Sequence, residues 1–219
     1  HNGFVYKLAP SATLLPATAI SKTYDGTTIA DPAILNFSVS GGINGDVLTF
    51  SGIPSGVFAT ANASTTSVSI AGITVLAKDS TDKPVLGYGF TPSVAATITP
   101  KPLEGTLIGS VSRTYNGTSL ATLSASNYSL SGLVGNESFT VNKTRGTFDN
   151  QNVGSGLLVT ATLGPADYSA GAGTLLTNYV LPTTMSGTIG AITPKTITIS
   201  LTGSVQKIYD GSLTTTLNS

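Results

Sequence analysis

Short runs in which apolar and polar residues alternate one by one recur along this chain. The clearest runs span residues 68–75, 159–163 and 197–201, and β-branched side chains are frequent in them. Alternation with a period of two places every second side chain on one face of a strand, and β-branched residues favour strands. Within the first run the Ala71-Gly72 step shifts the alternation by one residue, which predicts a β-bulge. The pattern therefore predicts short antiparallel strands.

Helical periodicity is weak throughout the sequence. The best candidate for a helix, residues 166–176, is interrupted by Gly171 and Gly173, and glycine is unfavourable inside helices. This segment is therefore predicted to form at most one helical turn. We expect an all-β fold made of immunoglobulin-like β-sandwich modules, with β-grasp-like modules as the alternative.

A five-residue motif occurs three times at intervals of about ninety residues. It is Thr-Tyr-Asp-Gly-Thr at 23–27, Thr-Tyr-Asn-Gly-Thr at 114–118 and Ile-Tyr-Asp-Gly-Ser at 208–212. A second motif, Ile-Thr-Pro-Lys, occurs at 98–101 and again at 192–195. Motifs that return in the same order at a fixed interval indicate a tandem array of one structural unit.

Alignment of the copies predicts the module boundaries. Module 1 is predicted to span residues 11–101 and module 2 residues 102–195, so that each ends with the Ile-Thr-Pro-Lys motif. Residues 1–10 are predicted to be the last strand of a preceding module, and residues 196–219 the opening strands of a third. The sequence is thus expected to be cut out of phase with its repeat.

Each copy of the five-residue motif has the composition of a tight turn. The three central residues of the copies are Tyr24, Asp25, Gly26; Tyr115, Asn116, Gly117; and Tyr209, Asp210, Gly211. Asp and Asn accept hydrogen bonds from the backbone two residues later, and Gly supplies the positive φ that such turns need. The Tyr ring is predicted to be buried with its hydroxyl bonded to the backbone. Because Asn116 replaces an Asp, and an amide is no general acid, base or nucleophile, the motif is predicted to be structural.

A second constellation, Gly-x-Phe-x3-Asn, occurs at 56–62 and 146–152. Phe58 and Phe148 are predicted to lie in the core, and Asn62 and Asn152 to cap a loop.

Together these motifs resemble the YDG and MBG-type repeat domains. Their order is Tyr-Asp-Gly-Thr, Gly-x-Phe-x3-Asn, Asn-Tyr-Val-Leu at 178–181 and Ile-Thr-Pro-Lys; module 1 departs from it with Gly-Tyr-Gly-Phe at 87–90. Such domains occur in tandem in very large bacterial surface and secreted adhesins, including filamentous-haemagglutinin-like proteins. The resemblance implies a cell-surface or matrix location and a stalk role, and it supplies no catalytic residues.

The composition argues against several classes of function. Charged residues make up only 9% of the chain and the net charge is zero, so no basic surface is expected to bind nucleic acid. No apolar run approaches the ~20 residues that a membrane span needs. The chain has no cysteine and its single histidine is His1, which argues against thiolate chemistry and against a histidine-based catalytic or metal site. Neither enzyme activity nor a cofactor is therefore expected.

The favoured hypothesis is a non-enzymatic stalk or spacer segment of a bacterial extracellular adhesin or biofilm-matrix protein. Its partners are then the neighbouring modules, and its receptor is unknown. The junctions between modules are predicted at Pro100, Lys101, Pro194 and Lys195, because proline lacks a ladder donor and stiffens the link.

Two alternatives remain at this stage. One is a self-assembling fibre subunit that polymerises head to tail by β-strand complementation, with Ile197, Ile199 and Leu201 on the exchanged strand. The other is a weak glycan- or calcium-binding module, for which residues 79–82 and 149–152 offer oxygen ligands.

Overall fold

The structure, a computed structural model, describes residues 10–215. Within this range the chain is all-β, which confirms the predicted fold class. The helical segments found there are four 3-10 turns of three residues each, at Pro32–Ile34, Ala125–Asn127, Pro165–Asp167 and Leu176–Asn178. None of the helices in these residues has the length and apolar character needed to cross a membrane.

The first unit contains nine strands. They are β1 (Ser11–Pro16), β2 (Ile20–Thr23), β3 (Ile29–Ala30), β4 (Phe37–Ser40), β5 (Val47–Phe58), β6 (Ser64–Lys78), β7 (Pro84–Val85), β8 (Gly89–Phe90) and β9 (Ser93–Thr99). The main sheet has the order β2-β9-β6-β5-β3, with β7 also paired to β6. In it β2 runs parallel to β9, and the other neighbours are antiparallel. A smaller sheet has the order β4-β1-β8.

The second unit contains eleven strands. They are β10 (Lys101–Pro102), β11 (Glu104–Leu107), β12 (Val111–Thr114), β13 (Leu120–Thr122), β14 (Tyr128–Ser131), β15 (Phe139–Val141), β16 (Arg145–Phe148), β17 (Gly154–Thr162), β18 (Tyr168–Ala170), β19 (Tyr179–Val180) and β20 (Thr184–Thr193). Its main sheet has the order β12-β20-β17-β16-β13, in which β12 runs parallel to β20. Three short pairs, β10-β19, β11-β14 and β15-β18, lie outside this sheet.

The two units therefore share one strand order. In each main sheet the strand that comes first along the chain, β2 or β12, pairs in parallel with the strand that comes last, β9 or β20. Every strand pair in the described chain lies either within residues 11–99 or within 101–193. In the second unit β11 crosses β20 closely, because a Cβ on Gly187 would lie 2.2 Å from the Leu107 carbonyl oxygen. A β-grasp fold packs its sheet on an α-helix, which residues 10–215 do not contain. The immunoglobulin-like sandwich prediction differs from the structure in another way, because the β2–β9 and β12–β20 pairs are parallel, whereas such a sandwich has antiparallel sheets.

The alternation in the sequence identifies the buried face of the central strands. Val159 and Ala161 on β17 and Val68 and Ile70 on β6 are buried, whereas the residues between them are more exposed. A strand with one face on the core produces this pattern because successive side chains point to opposite faces.

The predicted β-bulge lies where β5 pairs with β6. The register shifts between Gly52 and Ser55 of β5, which lie opposite Gly72 of β6. The extra residues of the bulge therefore lie on β5, whereas the phase shift in the sequence lies on β6. A Cβ on Gly72 would lie 2.5 Å from the Ile53 carbonyl oxygen, and Gly72 has φ of +79°. The bulge therefore requires glycine at this position.

The predicted opening strands of a third module differ from the structure. Residues 194–215 form no strand within the described chain, and Ile197, Ile199 and Leu201 are exposed. In the second unit the corresponding strands β11 and β12 pair with β14 and β20, which come later in that unit. A strand needs such partners, and the sequence from 196 to 219 holds no copies of them. Apart from Pro10, the predicted strand at 1–10 lies outside the described residues, so strand exchange stays a prediction.

Candidate functional site: the junction between the two units

The Tyr-Asp-Gly motif forms the turn after the first strand of each main sheet. Asp25 Oδ1 accepts hydrogen bonds from the Thr27 backbone N–H and hydroxyl, both at 2.9 Å, and Gly26 has φ of +77°. Asn116 Oδ1 accepts the same two bonds from Thr118, at 3.1 and 3.0 Å. The turn uses one acceptor oxygen, which explains why Asp and Asn both serve.

A basic side chain connects this turn to the Gly-x-Phe motif. Lys22 Nζ lies 2.7 Å from Asp25 Oδ1 and 5.1 Å from the centre of the Phe58 ring. Arg113 takes the same place in the second unit, with its guanidinium 5.4 Å from the centre of the Phe148 ring. Both phenylalanines are buried. The two sequence motifs are therefore parts of one cation–π cluster.

The sequence alone assigns no structural role to this basic residue, although a signal is present. It stands two residues before the Tyr in all three copies, as Lys22, Arg113 and Lys207. In the third copy Lys207 forms an ion pair with Asp210 at 2.6 Å, and Asp210 accepts a bond from the Ser212 N–H at 2.9 Å.

The charge on Asp25 is not what the turn depends on. Burial opposes ionisation, but hydrogen bonds from Lys22 and Thr27 outweigh it and hold the pKa of Asp25 below its ordinary value. The carboxylate is half exposed, and ion pairs at such sites contribute little to stability. The neutral Asn116 forms the same turn in the second unit.

Tyr24 links the two units through a carboxylate. Its ring is 5% exposed, and its hydroxyl donates a hydrogen bond of 2.6 Å to Glu137 Oε1 of the second unit. Glu137 Oε2 accepts a bond from the Tyr179 hydroxyl, which in turn accepts from the Val134 N–H at 2.9 Å. The ring is thus buried as predicted, but the predicted backbone partner for the hydroxyl is wrong. The partner is a side chain from the other unit, 113 residues away.

A buried amide forms the second polar contact across the junction. Asn178 is 1% exposed, and its Oδ1 accepts a hydrogen bond of 2.8 Å from the Ala63 N–H. Its Nδ2 donates a bond of 3.1 Å to Asn62 Oδ1. A buried amide with both ends bonded fixes the register between the surfaces it joins.

The prediction that the side chains of Asn62 and Asn152 cap a loop is wrong. The Asn62 N–H donates to Thr60 Oγ1 at 3.0 Å, and the Asn152 N–H donates to Asn150 Oδ1 at 2.9 Å. The capping side chain is therefore the residue two positions earlier, which leaves the Asn62 side chain to contact the second unit.

Apolar side chains of the second unit complete the core of the first. Leu103 and Tyr179 are buried in the cluster that contains the first-unit core, and Val134 and Phe139 pack against it. The Tyr179 ring meets the Tyr24 ring edge to face, with centroids 5.4 Å apart. The junction is therefore continuous with a hydrophobic core.

One residue separates the units along the chain. Strand β9 ends at Thr99 and β10 begins at Lys101, so that Pro100 is the whole linker. Lys101 pairs in parallel register with Tyr179, which places it with the second unit rather than at the end of the first. Pro194 follows β20 directly and, like Lys195, is exposed.

The same surface of the second unit is open. Tyr115 is 38% exposed, against 5% for Tyr24, and Val153 is exposed where Ala63 is partly buried. Tyr115, Val153 and Ile197 help to line a depression of about 440 Å³ at this end of the second unit. In the third copy of the motif Tyr209 is 94% exposed, so the predicted burial of the Tyr ring is wrong for Tyr115 and Tyr209.

Alkaline pH is expected to weaken the junction. Burial, strengthened by the hydrogen bonds to Glu137, raises the pKa of Tyr24 and of Tyr179 from 10.0 to about 12. Because a raised pKa means that folding favours the protonated phenol, this stabilisation is complete below about pH 10 and is lost as pH rises through about 12. Thermal melts between pH 8 and 12 measure it. The double variant Tyr24→Phe/Tyr179→Phe is expected to melt lower at neutral pH and to lose less on alkalinisation, whereas parallel curves would contradict this assignment.

The carboxylates considered for calcium are engaged within their own loops. Asp79 Oδ1 accepts bonds from the backbone N–H groups of Thr81 and Lys83, at 2.8 and 3.0 Å. Asp82 forms an ion pair with Lys78 at 2.9 Å. Residues 10–215 contain no group of three or more His, Cys, Asp or Glu side chains arranged to hold a metal ion.

The geometry defines a class of protein: tandem all-β units joined through a shared core. The YDG domain family matches residues 9–83 and 99–187, and the chain belongs to this family. No curated protein and no solved structure gives a significant match to the chain.

Proposed function

We propose that this chain is a rigid spacer segment of a bacterial extracellular adhesin or matrix protein, in which YDG units are held end to end at a fixed angle. The observation that carries the proposal is the junction, where Tyr24, Glu137 and Tyr179 form one hydrogen-bonded cluster across two units. Units joined only by a flexible linker move independently by default. Here the linker is one residue and the interface is part of the core.

Bending at this junction would break buried polar contacts. Rotation about Pro100 would separate Asn178 from Ala63 and Asn62, and would expose Tyr179. Leaving one buried donor or acceptor unsatisfied costs about 1–3 kcal/mol. The arrangement in which these contacts are formed is therefore the low-energy one, as a rigid spacer requires.

The chemistry of the repeated motif also supports a structural role. The position that could carry a catalytic carboxylate is Asp25 in one unit and Asn116 in the other, and both are used to close a turn. The proposed extracellular location rests on the tandem arrangement and on the resemblance of the repeated motifs to repeat domains of bacterial surface adhesins.

The rigidity of the junction can be measured directly. Because the chain has no cysteine, Ser80→Cys and Ala172→Cys place one spin label on an exposed site of each unit. A narrow distribution of label–label distances is expected. Adding Glu137→Ala and Asn178→Ala is expected to broaden it, because both polar contacts across the junction are lost.

The matched control is Asp46→Ala, which removes the equivalent acid of the first unit, where Tyr88 donates to Asp46 at 2.6 Å. This control is expected to leave the distance distribution narrow. A distribution that is broad before any junction substitution would refute the rigid-spacer proposal.

A further inference from the structure

We infer that the open end of the second unit is a docking site for another YDG unit whose facing surface carries a glutamate and an Asn-Tyr pair. This open face consists of Tyr115, Asn152, Val153 and Pro194. The inference rests on the proposed function, because it takes the first junction as the template for a second one.

The open face repeats the groups that the first unit uses at the junction. Tyr115 follows β12 as Tyr24 follows β2, and both backbone N–H groups donate to the last residue of the main sheet, Thr193 or Thr99, at 2.8 Å. Asn152 occupies the place of Asn62 in the Gly-x-Phe-x3-Asn motif. The open face therefore offers the Tyr115 hydroxyl, the Asn152 side-chain amide and the Val153 backbone N–H as counterparts of the groups that the first unit uses at the junction.

The space next to the glycine of the motif differs between the two units. A Cβ on Gly26 would lie 2.9 Å from Val134 Cγ1 of the second unit. A Cβ on Gly117, which has a similar φ of +75°, would meet no atom within 4 Å. The two turns share a conformation and differ in what lies over them.

The residues that cover the first junction define the chemistry of the missing partner. Glu137 accepts from Tyr24, and Asn178 bonds both Ala63 and Asn62. A partner for Tyr115, Val153 and Asn152 therefore needs an acid at the first position and an amide next to a Tyr at the second.

The first unit of a second copy meets this requirement poorly. Its equivalent cluster is intact, because Tyr88 donates to Asp46 and accepts from the Ile43 N–H at 3.0 Å. However, Asp46 is one methylene shorter than Glu137, and Gly87 stands where the second unit has Asn178. The partner is therefore a unit like the second one, joined directly after Lys195. The chain itself leads into a further copy of the motif at Tyr209.

A three-unit chain tests this inference. It consists of residues 1–195, a second copy of 102–195, and residues 196–219, so that the inserted copy presents its own glutamate and Asn-Tyr pair to Tyr115. Amide hydrogen exchange of Val153 is compared with that in the parent chain, with Ala63 as the internal reference. The control carries Glu137→Ala and Asn178→Ala in the inserted copy only.

Docking is expected to slow exchange of the Val153 amide by about tenfold or more relative to the parent chain, and the control is expected to remove this protection. As a second measurement, Tyr115→Ala is expected to lower the melting temperature more in the three-unit chain than in the parent. Unchanged Val153 exchange together with a protected Ala63 amide would overturn the inference and leave the rigid-spacer proposal standing. Fast hydrogen exchange of the Ala63 amide in the parent chain would instead refute the rigid-spacer proposal. Concentration-dependent dimers of the parent chain that Tyr115→Ala abolishes would also overturn the inference, because the open face would then accept a unit without the glutamate and the Asn-Tyr pair.

Discussion

Tyr24→Ala is expected to lower the free energy of unfolding by about 3–5 kcal/mol, the usual cost of truncating a large buried aromatic residue. The ring lies in the first-unit core, meets the Tyr179 ring edge to face, and its hydroxyl is bonded to Glu137. Truncation leaves a cavity at the junction and removes one donor from the buried cluster. Both units are affected, because the cavity is shared between them.

Tyr115→Ala is the matched control for this experiment. It removes the same side chain from the same position of the motif, but Tyr115 is 38% exposed and has no unit packed on it in the described chain. Its cost is expected to be about 1 kcal/mol, as for ordinary surface-proximal substitutions. Urea unfolding followed by circular dichroism gives both values. Equal losses for the two variants would contradict the assignment of Tyr24 to an inter-unit contact.

Phe148→Ala is expected to cost about 3–5 kcal/mol, because Phe148 is fully buried at the centre of the second unit. The surrounding backbone is shaped to this ring. A Cβ on Gly190 would lie 2.6 Å from Phe148 Cε1, so β20 passes the ring with no room for a side chain. The Arg113 guanidinium covers the same ring from outside and loses its partner on truncation.

Phe148→Leu separates the two contributions to this effect. Leucine keeps most of the apolar volume and removes the ring face, so a smaller loss of about 1.5 kcal/mol is expected. The same urea experiment measures both variants, with tyrosine fluorescence as a second probe because the chain has no tryptophan. If Phe148→Ala costs no more than Phe148→Leu, the ring is not the centre of this core.

Much of the fold could be predicted because it follows from local pattern. Alternation identified the buried face of β17, and the Ala71-Gly72 phase shift located the bulge. The interchange of Asp25 and Asn116 identified a turn rather than a carboxylate site, because the turn needs one acceptor oxygen at each copy. These features are determined by residues close in sequence.

The junction could not be predicted in the same way. Glu137 meets Tyr24 across 113 residues of sequence, and its equivalent in the first unit is Asp46, so the pattern of repeats does not mark it as one position. Asn178 and Tyr179 were recognised only as part of a family motif, since their partners Asn62 and Tyr24 lie in the other unit. An alignment of the copies shows the residues that the units have in common. It does not show the contacts that one unit makes with the other.

The parallel pairing of the outer strands also determines how a unit would carry tension. In the first unit Ile20 to Thr23 pair in register with Ala96 to Thr99, and the chain leaves β9 through Pro100 directly into the next unit. A pull on the two ends of such a pair moves parallel neighbours past each other, so their hydrogen bonds are loaded in shear and must fail together instead of opening one at a time. The second unit repeats this arrangement with β12 and β20. A string of such units would resist hydrodynamic drag through a series of equivalent shear clamps.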